Sequence, residues 1–187
     1  MKDIVLFGIQ GSGKGTQAQL LLEAFPQDFS YLSTGDVFRA LTKSDNAIGN
    51  YVKNRIASWA LIDDRVTDMI FRSYFYTVLD EQKYMLLDGY PRSIAQIDSM
   101  FDFLKEYERT LLGIQFVLSD EIALERMRNR GRNDDTEESM KFRIAQFYEK
   151  TQPTIDYFAQ HADLIQVDAS RSIEEIAKEV KEIVARS

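Results

Sequence analysis

Five apolar runs, at residues 4–7, 29–33, 84–88, 113–118 and 164–168, punctuate the chain, and the longer stretches between them read as helices. Runs of this length suit strands, and the third is apolar almost throughout until it ends in Asp88, as in a buried parallel strand whose carboxyl edge faces a site. Helices are expected at 16–24, from about Val37, over 47–58 and about 64–79, around Gln96, over 120–129, around Arg143 and up to His161. A last one follows Ser172 and Glu175, which have capping-box spacing. Strands alternating with helices predict an α/β domain: a five-stranded parallel sheet with helices on both faces and ligands at its carboxyl edge.

The first run leads into Gly8-Ile9-Gln10-Gly11-Ser12-Gly13-Lys14-Gly15-Thr16. Four glycines in eight positions remove the Cβ atoms that stop a backbone curling around one anion. Lys14 adds a flexible point charge, and the helix that follows puts its positive dipole end beneath the phosphates. The alternative is a glycine-rich turn that contains a lysine, and the order strand, loop, helix weighs against it.

A chain of 187 residues makes one domain of ordinary size. Without cysteine it has no disulfide framework and no cysteine-based zinc site, which fits a reducing compartment. Met1-Lys2-Asp3 runs straight into the first strand, so the expectation is a cytoplasmic protein with no targeting peptide and no membrane span. A formal charge of −7 argues against nucleic-acid binding and membrane-surface attachment, so a site for polyanions must concentrate its positive charge locally. That concentration falls at Arg126, Arg128, Arg130, Arg132 and Arg143, with Arg126 and Arg130 on one helical face. A solvated face neutralised by Asp134, Asp135, Glu137 and Glu138 is the other reading of that cluster. His161, the single histidine, reads as structural.

Most phosphate loops of this kind place Ser or Thr directly after the lysine, whereas Gly15 comes first here. The form Gly-Lys-Gly-Thr, continued by Gln17-Ala18, resembles the nucleoside monophosphate kinases. Leu32-Ser33-Thr34-Gly35-Asp36-Val37-Phe38-Arg39 and Asp88-Gly89-Tyr90-Pro91-Arg92, with Gln96 four residues on, resemble the adenylate kinases among them, as does Arg130-Gly131-Arg132-Asn133-Asp134-Asp135. The likeness covers essentially the whole chain as a single P-loop kinase domain, with an AMP-binding arm at about 33–62 and a vestigial lid at about 129–135. It implies an ATP site made by Gly11, Ser12, Gly13, Lys14, Gly15, Thr16, Arg126, Arg130 and the backbone at Arg171. It implies an AMP site made by Thr34, Arg39, the backbone of Ala60, Leu61 and Ile62, then Gly89, Tyr90, Pro91, Arg92, Gln96, Arg132 and Arg143. The catalytic set would be Lys14, Arg92, Arg126, Arg132 and Arg143, with Asp88 holding Mg²⁺ through water.

The implied reaction is reversible, Mg²⁺-dependent phosphoryl transfer from ATP to AMP giving two ADP, by a monomer. Another monophosphate kinase, such as a UMP/CMP kinase, and a module that holds ATP without transferring phosphate are the alternatives. Gln96 has the paired donor and acceptor that adenine's N1 and N6 require. Thr34 and Asp36 also read as helix caps, and Asp135 with Glu138 as a capping box. The chain departs from the family at Gln10, which replaces a usual proline, at Trp59, which replaces a usual glycine, and in the single residue, Gly131, that separates Arg130 from Arg132.

Overall fold

The computed structural model describes residues 1–58, 60–131 and 136–187. Within them β1 (Asp3–Gly8), β2 (Phe29–Ser33), β3 (Tyr84–Asp88), β4 (Leu111–Val117) and β5 (Asp163–Asp168) form one sheet, ordered β2-β3-β1-β4-β5, with every pairing parallel. The helices are α1 (Lys14–Ala24), α2 (Thr34–Leu41), α3 (Ala47–Ala57), α4 (Asp64–Thr77), α5 (Ile94–Lys105), α6 (Asp120–Arg130), α7 (Glu137–Gln146), α8 (Gln152–Phe158) and α9 (Ile173–Arg186). No helix among the described residues is long and apolar enough to cross a membrane.

Side chains of a strand alternate between faces, and here both faces are covered. Val5 and Phe7 of β1 join Leu32, Met85 and Leu87 in a core closed by Phe71 of α4, Ile97 and Met100 of α5, and Ile155 and Phe158 of α8. Ile4 and Leu6 point the other way, into Leu86, Leu112, Ile114, Leu21 of α1 and the Ile176, Val180, Val184 stripe of α9. Double burial is why the strands read as apolar runs rather than as alternating patterns. A third, smaller cluster of Ile9, Ala123, Met127, Met140 and Ile144 seats the glycine loop on α6 and α7.

From the carboxyl end of β1 the chain crosses to β2, and from that of the adjacent β3 it crosses to β4 on the other side. The two connections leave in opposite directions, which opens a crevice between β1 and β3, the usual place for a ligand in such a sheet. Register fixes what lines it: Leu6 pairs with Asp88, and Asp88 pairs with Ser33, so the glycine loop, Asp88 and the start of α2 share one edge.

Several boundaries differ from those expected. Helix α2 begins at Thr34 rather than near Val37, because Ser33, still extended, caps it by accepting from Asp36 N at 3.2 Å. Thr34 and Asp36 are therefore inside the first turn. Helix α4 stops at Thr77, short of Leu79. Strand β4 starts at Leu111, its ladder opened by Asp3 N donating to Thr110 O at 2.9 Å. Helix α7 is capped by a reciprocal box of Thr136 and Ser139, not by Asp135 with Glu138, since Thr136 has the N-cap spacing to Ser139 N. The Ser172–Glu175 box is present at α9. Trp59, Asn133, Asp134 and Asp135 lie outside the described residues.

At the opposite, amino edge of the sheet a buried carboxylate ties three elements together. Asp3, 1% exposed, accepts from Met85 N at 2.6 Å and from both Nε and Nη2 of Arg109 at 2.7 and 2.6 Å, while Arg109 Nη2 also donates to Lys83 O. Removing one partner leaves a buried charge uncompensated, which costs about 3–5 kcal/mol. Asp3→Ala is accordingly expected to lower the unfolding free energy by about 3 kcal/mol or more. Urea denaturation of the two proteins measures it, and a loss below about 1 kcal/mol would show the pair to be solvent-screened.

Candidate active site

Helices α2 to α7 and α9 each begin on a Ser, Thr, Asn or Asp whose side chain accepts from the first turn. Helix α1 does not. Its N-cap is Gly13 at φ 88°, with no side-chain cap and no acidic residue in the first turn, so its leading N–H groups are left for an outside acceptor. The loop reaches this shape by pressing on α6: Gly11 has φ +86°, and a Cβ there would lie 2.5 Å from Ala123 O. Only glycine fits both the angle and the space.

Lys14 Nζ curls back over the loop, donating to Gly8 O at 2.6 Å and Ile9 O at 3.0 Å. Burial pushes its ammonium from the ordinary 10.5 down to about 8, opposed by Asp88 and helped by Arg92 and Arg130. Arg92 is held from the other side, its Nε donating to Gly89 O at 2.8 Å. Its guanidinium is also pushed down, first by burial, with Asp88 opposing and the like charges of Arg39 and Arg143 reinforcing. Asp88 accepts from Tyr31 Oη at 3.5 Å, and the same burial and carboxylate push the Tyr31 phenol up. Cations drawn this close around one carboxylate are poised for added negative charge.

Two cavities open on either side of this group. The larger, about 810 Å³, is lined by Gly11, Ser12, Gly13, Lys14, Gly15 and Thr16 and by Asp88, Arg126, Arg130 and Arg171, which places every residue expected at the ATP site in one cleft. Arg126 is steadied by donating to Ala169 O at 2.8 Å, and Arg171 by its pair with Glu179. The second, about 270 Å³, is lined by Phe38, Arg39, Ala60, Leu61, Ile62, Asp64, Gln96 and Arg143. A third, small cavity of about 60 Å³ is lined by Lys14, Pro91, Arg92 and Arg143. Gln10, Gly89 and Arg92 line all three.

Three expected AMP contacts among the described residues are absent from the second cavity: Tyr90, Thr34 and Pro91, the last of which lines the small cavity of about 60 Å³ instead. Tyr90 is buried, stacked on Phe71 at 4.8 Å, with its hydroxyl donating to Asp68 Oδ1 at 2.9 Å. Thr34 is buried behind Gly89, its Oγ1 3.5 Å from Asp88 O. Gly89 has φ +84°, and a Cβ on it would lie 2.6 Å from Thr34 Oγ1, so the threonine supports the glycine turn from behind. Arg132, expected among both the catalytic and AMP-binding residues, lies outside the described residues. His161 Nδ1 donates locally to Tyr157 O at 2.8 Å, and the ring packs on Tyr157 and Phe101, away from the site.

Three contributors were not anticipated. Gln10 Oε1 accepts from Arg143 Nη1 at 3.3 Å, a bond that the family's usual proline has no side-chain group to make. Arg55 fixes the wall of the second cavity by donating Nε and Nη2 to Leu61 O at 3.0 and 2.6 Å. Asp64 accepts from Gln96 Nε2 at 2.7 Å. Polar side chains carry no sequence mark of partners that the folding of the chain brings to them.

A parallel sheet with an uncapped glycine loop at its switch point and two joined, cation-lined cavities defines a P-loop protein of the nucleotide-kinase class. The family model for adenylate kinase matches residues 6–163. The chain is 36% identical to an adenylate kinase of Corynebacterium urealyticum over 94% of each chain, 31% identical to one of Prochlorococcus marinus over 98% of this chain and 99% of that one, and 35% identical to one of a Synechococcus species over 99% and 100%. It belongs to the adenylate kinase family.

The depressed Lys14 has a measurable consequence. Between about pH 8 and 10.5 the empty folded protein holds this proton less tightly than the unfolded chain does, so stability rises with pH across that window. Phosphate oxygens beside the ammonium reverse the shift, so at about pH 8.5 ATP binding should take up a proton. Titration calorimetry in two buffers of different ionisation enthalpy is expected to show the uptake, and Lys14→Ala to lack it. Buffer-independent heats for the unsubstituted protein would refute the assignment.

Proposed function

We propose that the chain transfers the terminal phosphoryl group of ATP to AMP, reversibly, giving two ADP. The observation that carries this is the pairing of the two cavities: the phosphate loop opens into one, the other adjoins it, and Arg92 lines both. A module that merely holds ATP has no use for the second cavity. In the forward direction an AMP phosphate oxygen forms the new bond to the γ-phosphorus as the bond to the β–γ bridging oxygen breaks, and those electrons leave on ADP. The acceptor oxygen is already anionic, so no general base is needed, and catalysis is alignment plus charge neutralisation. Lys14 and Arg126 supply charge from the donor cleft, Arg143 from the acceptor cavity, and Arg92 from the wall common to both. Arg132 would complete that set.

Mg²⁺ suits the donor cleft. It is held by one or two carboxylates plus water and phosphate oxygens, and Asp88, a carboxylate lining the cleft beside Gly15, would hold it through water. When bound, it would neutralise charge on the phosphates. Arg39 and Arg92 are placed to hold the acceptor phosphate, and Gln96, lining the second cavity, to meet the acceptor base. A monomer in a cytoplasmic setting completes the proposal, the lack of cysteine fitting a reducing compartment. The two-cavity layout also supports an acceptor arm at about 33–62 that closes over AMP, beside a lid that is only vestigial at about 129–135.

Lys14→Ala and Arg92→Ala, verified as folded by circular dichroism, are each expected to lower kcat at least about a hundredfold, since each removes charge aimed at the transition state. Near-normal turnover in both would sink the roles given to them. In a coupled assay with ATP, AMP is expected to exceed UMP and CMP in kcat/KM by at least about a hundredfold, because a purine-shaped polar pocket leaves its groups unpaired around a pyrimidine. Equal use of a pyrimidine monophosphate would favour the UMP/CMP kinase reading.

A further inference from the structure

Gln96 is 3% exposed, yet it lines the acceptor cavity, and both ends of its carboxamide are already engaged by the protein. Its Oε1 accepts from Arg92 N at 2.7 Å, and its Nε2 donates to Asp64 Oδ1 at 2.7 Å. A carboxamide has two N–H donors and two acceptor lone pairs, so each end retains one further position for a ligand. The two partners are of opposite and fixed kind. A backbone N–H can only donate, and an ionised carboxylate can only accept. Rotating the amide by 180° would set NH₂ against N–H and oxygen against carboxylate, two repulsive contacts in a nearly buried place.

The carboxylate is itself held. Ser93 Oγ donates to Asp64 Oδ2 at 2.8 Å, while the same serine caps α5 by accepting from Gln96 N at 3.2 Å. Behind it Tyr90 Oη lies 3.3 Å from Gln96 O and donates to Asp68, which is also held by Ser99 and Arg72. Asp64, in the first turn of α4, thus reaches across to the first turn of α5 and meets the one side chain there that faces the base.

We propose that Asp64 is the positioning residue that fixes which end of the Gln96 carboxamide meets the acceptor base, and so makes the site select a 6-aminopurine monophosphate over a 6-oxopurine one. Adenine accepts at N1 and donates from N6. Hypoxanthine has the same outline with the pattern inverted, donating from N1 and accepting at O6. A locked amide pairs with the first and opposes the second; an amide free to turn over accommodates both. This rests on the reading of the second cavity as the AMP site with Gln96 at the base.

The test compares AMP with IMP as acceptors at saturating ATP, in the unsubstituted protein, Asp64→Asn, Asp64→Glu and Gln96→Ala, with melting temperatures for each. Asparagine keeps the size of Asp64 but presents either a donor or an acceptor, so Asp64→Asn should lower the AMP-to-IMP ratio of kcat/KM at least about tenfold, chiefly through a raised KM for AMP and a gain with IMP, leaving the KM for ATP unchanged. Asp64→Glu, still acceptor-only, should keep most of the selectivity. Equal losses with both acceptors in Asp64→Asn, or loss of selectivity in Asp64→Glu as large as in Asp64→Asn, would reduce Asp64 to a structural role and overturn the proposal. If Gln96→Ala itself leaves the ratio unchanged, Gln96 does not read the base, and the reading of the acceptor cavity fails before Asp64 is at issue.

Discussion

Two cations and one carboxylate at the carboxyl edge of β1 and β3 constrain everything around them. Lys14 and Arg92 are both held below their ordinary ionisation ranges by burial, and Asp88 alone opposes this in both. Holding like charges together in a half-dry crevice is unfavourable unless something anchors each, and the anchors are backbone carbonyls: Gly8 and Ile9 for the lysine, Gly89 for the arginine. The turns that present those carbonyls pass through glycines at positive φ, Gly8 and Gly11 in the phosphate loop and Gly89 after β3. The glycine turns can persist because they sit on packed supports, the Ile9–Ala123–Met127 cluster under one and Thr34 under the other. The site's charge thus traces back through backbone geometry to side-chain packing, and the net acidity of the rest of the surface leaves this spot as the local exception.

How much of this was legible depended on whether the information is local. The sheet was readable because double burial makes each strand a compact apolar run, and the glycine loop because tight curvature around an anion needs a run of residues lacking Cβ atoms. Caps were readable when the signal lay within four residues, as at Ser172 and Glu175, and misplaced when two overlapping choices existed. Ser33 won over Thr34 and Asp36 because, as the last residue of β2, it still has the extended backbone that an N-cap needs. Thr136 and Ser139 likewise form the box expected one residue earlier.

The site residues divide along the same line. Motif residues contributed by a loop or the first turn of a helix, such as residues 11–16 and Gln96, line the two cavities. Thr34 and Tyr90 belong to those motifs equally, yet they support the site from inside the core, because a motif records which residues occur together and not which of them face the ligand. Arg55, Asp64 and Gln10 were silent, since each acts through a partner that only tertiary structure supplies: Leu61 O, Gln96 and Arg143.

Gln10 shows how a departure from a family pattern can be accommodated. Proline at that position would restrict φ and contribute no side-chain hydrogen bond, leaving α7 to be placed by other contacts. Here Gln10 lines both the donor cleft and the acceptor cavity, and its amide oxygen accepts from Arg143 on α7. With only Gly131 between Arg130 and Arg132, the connection offers little chain with which to deliver α7's arginine to the reacting phosphate. The Gln10 tether places Arg143 at the acceptor cavity from the same loop whose amides await the donor's phosphates, so donor grip and acceptor-side charge are joined through one side chain.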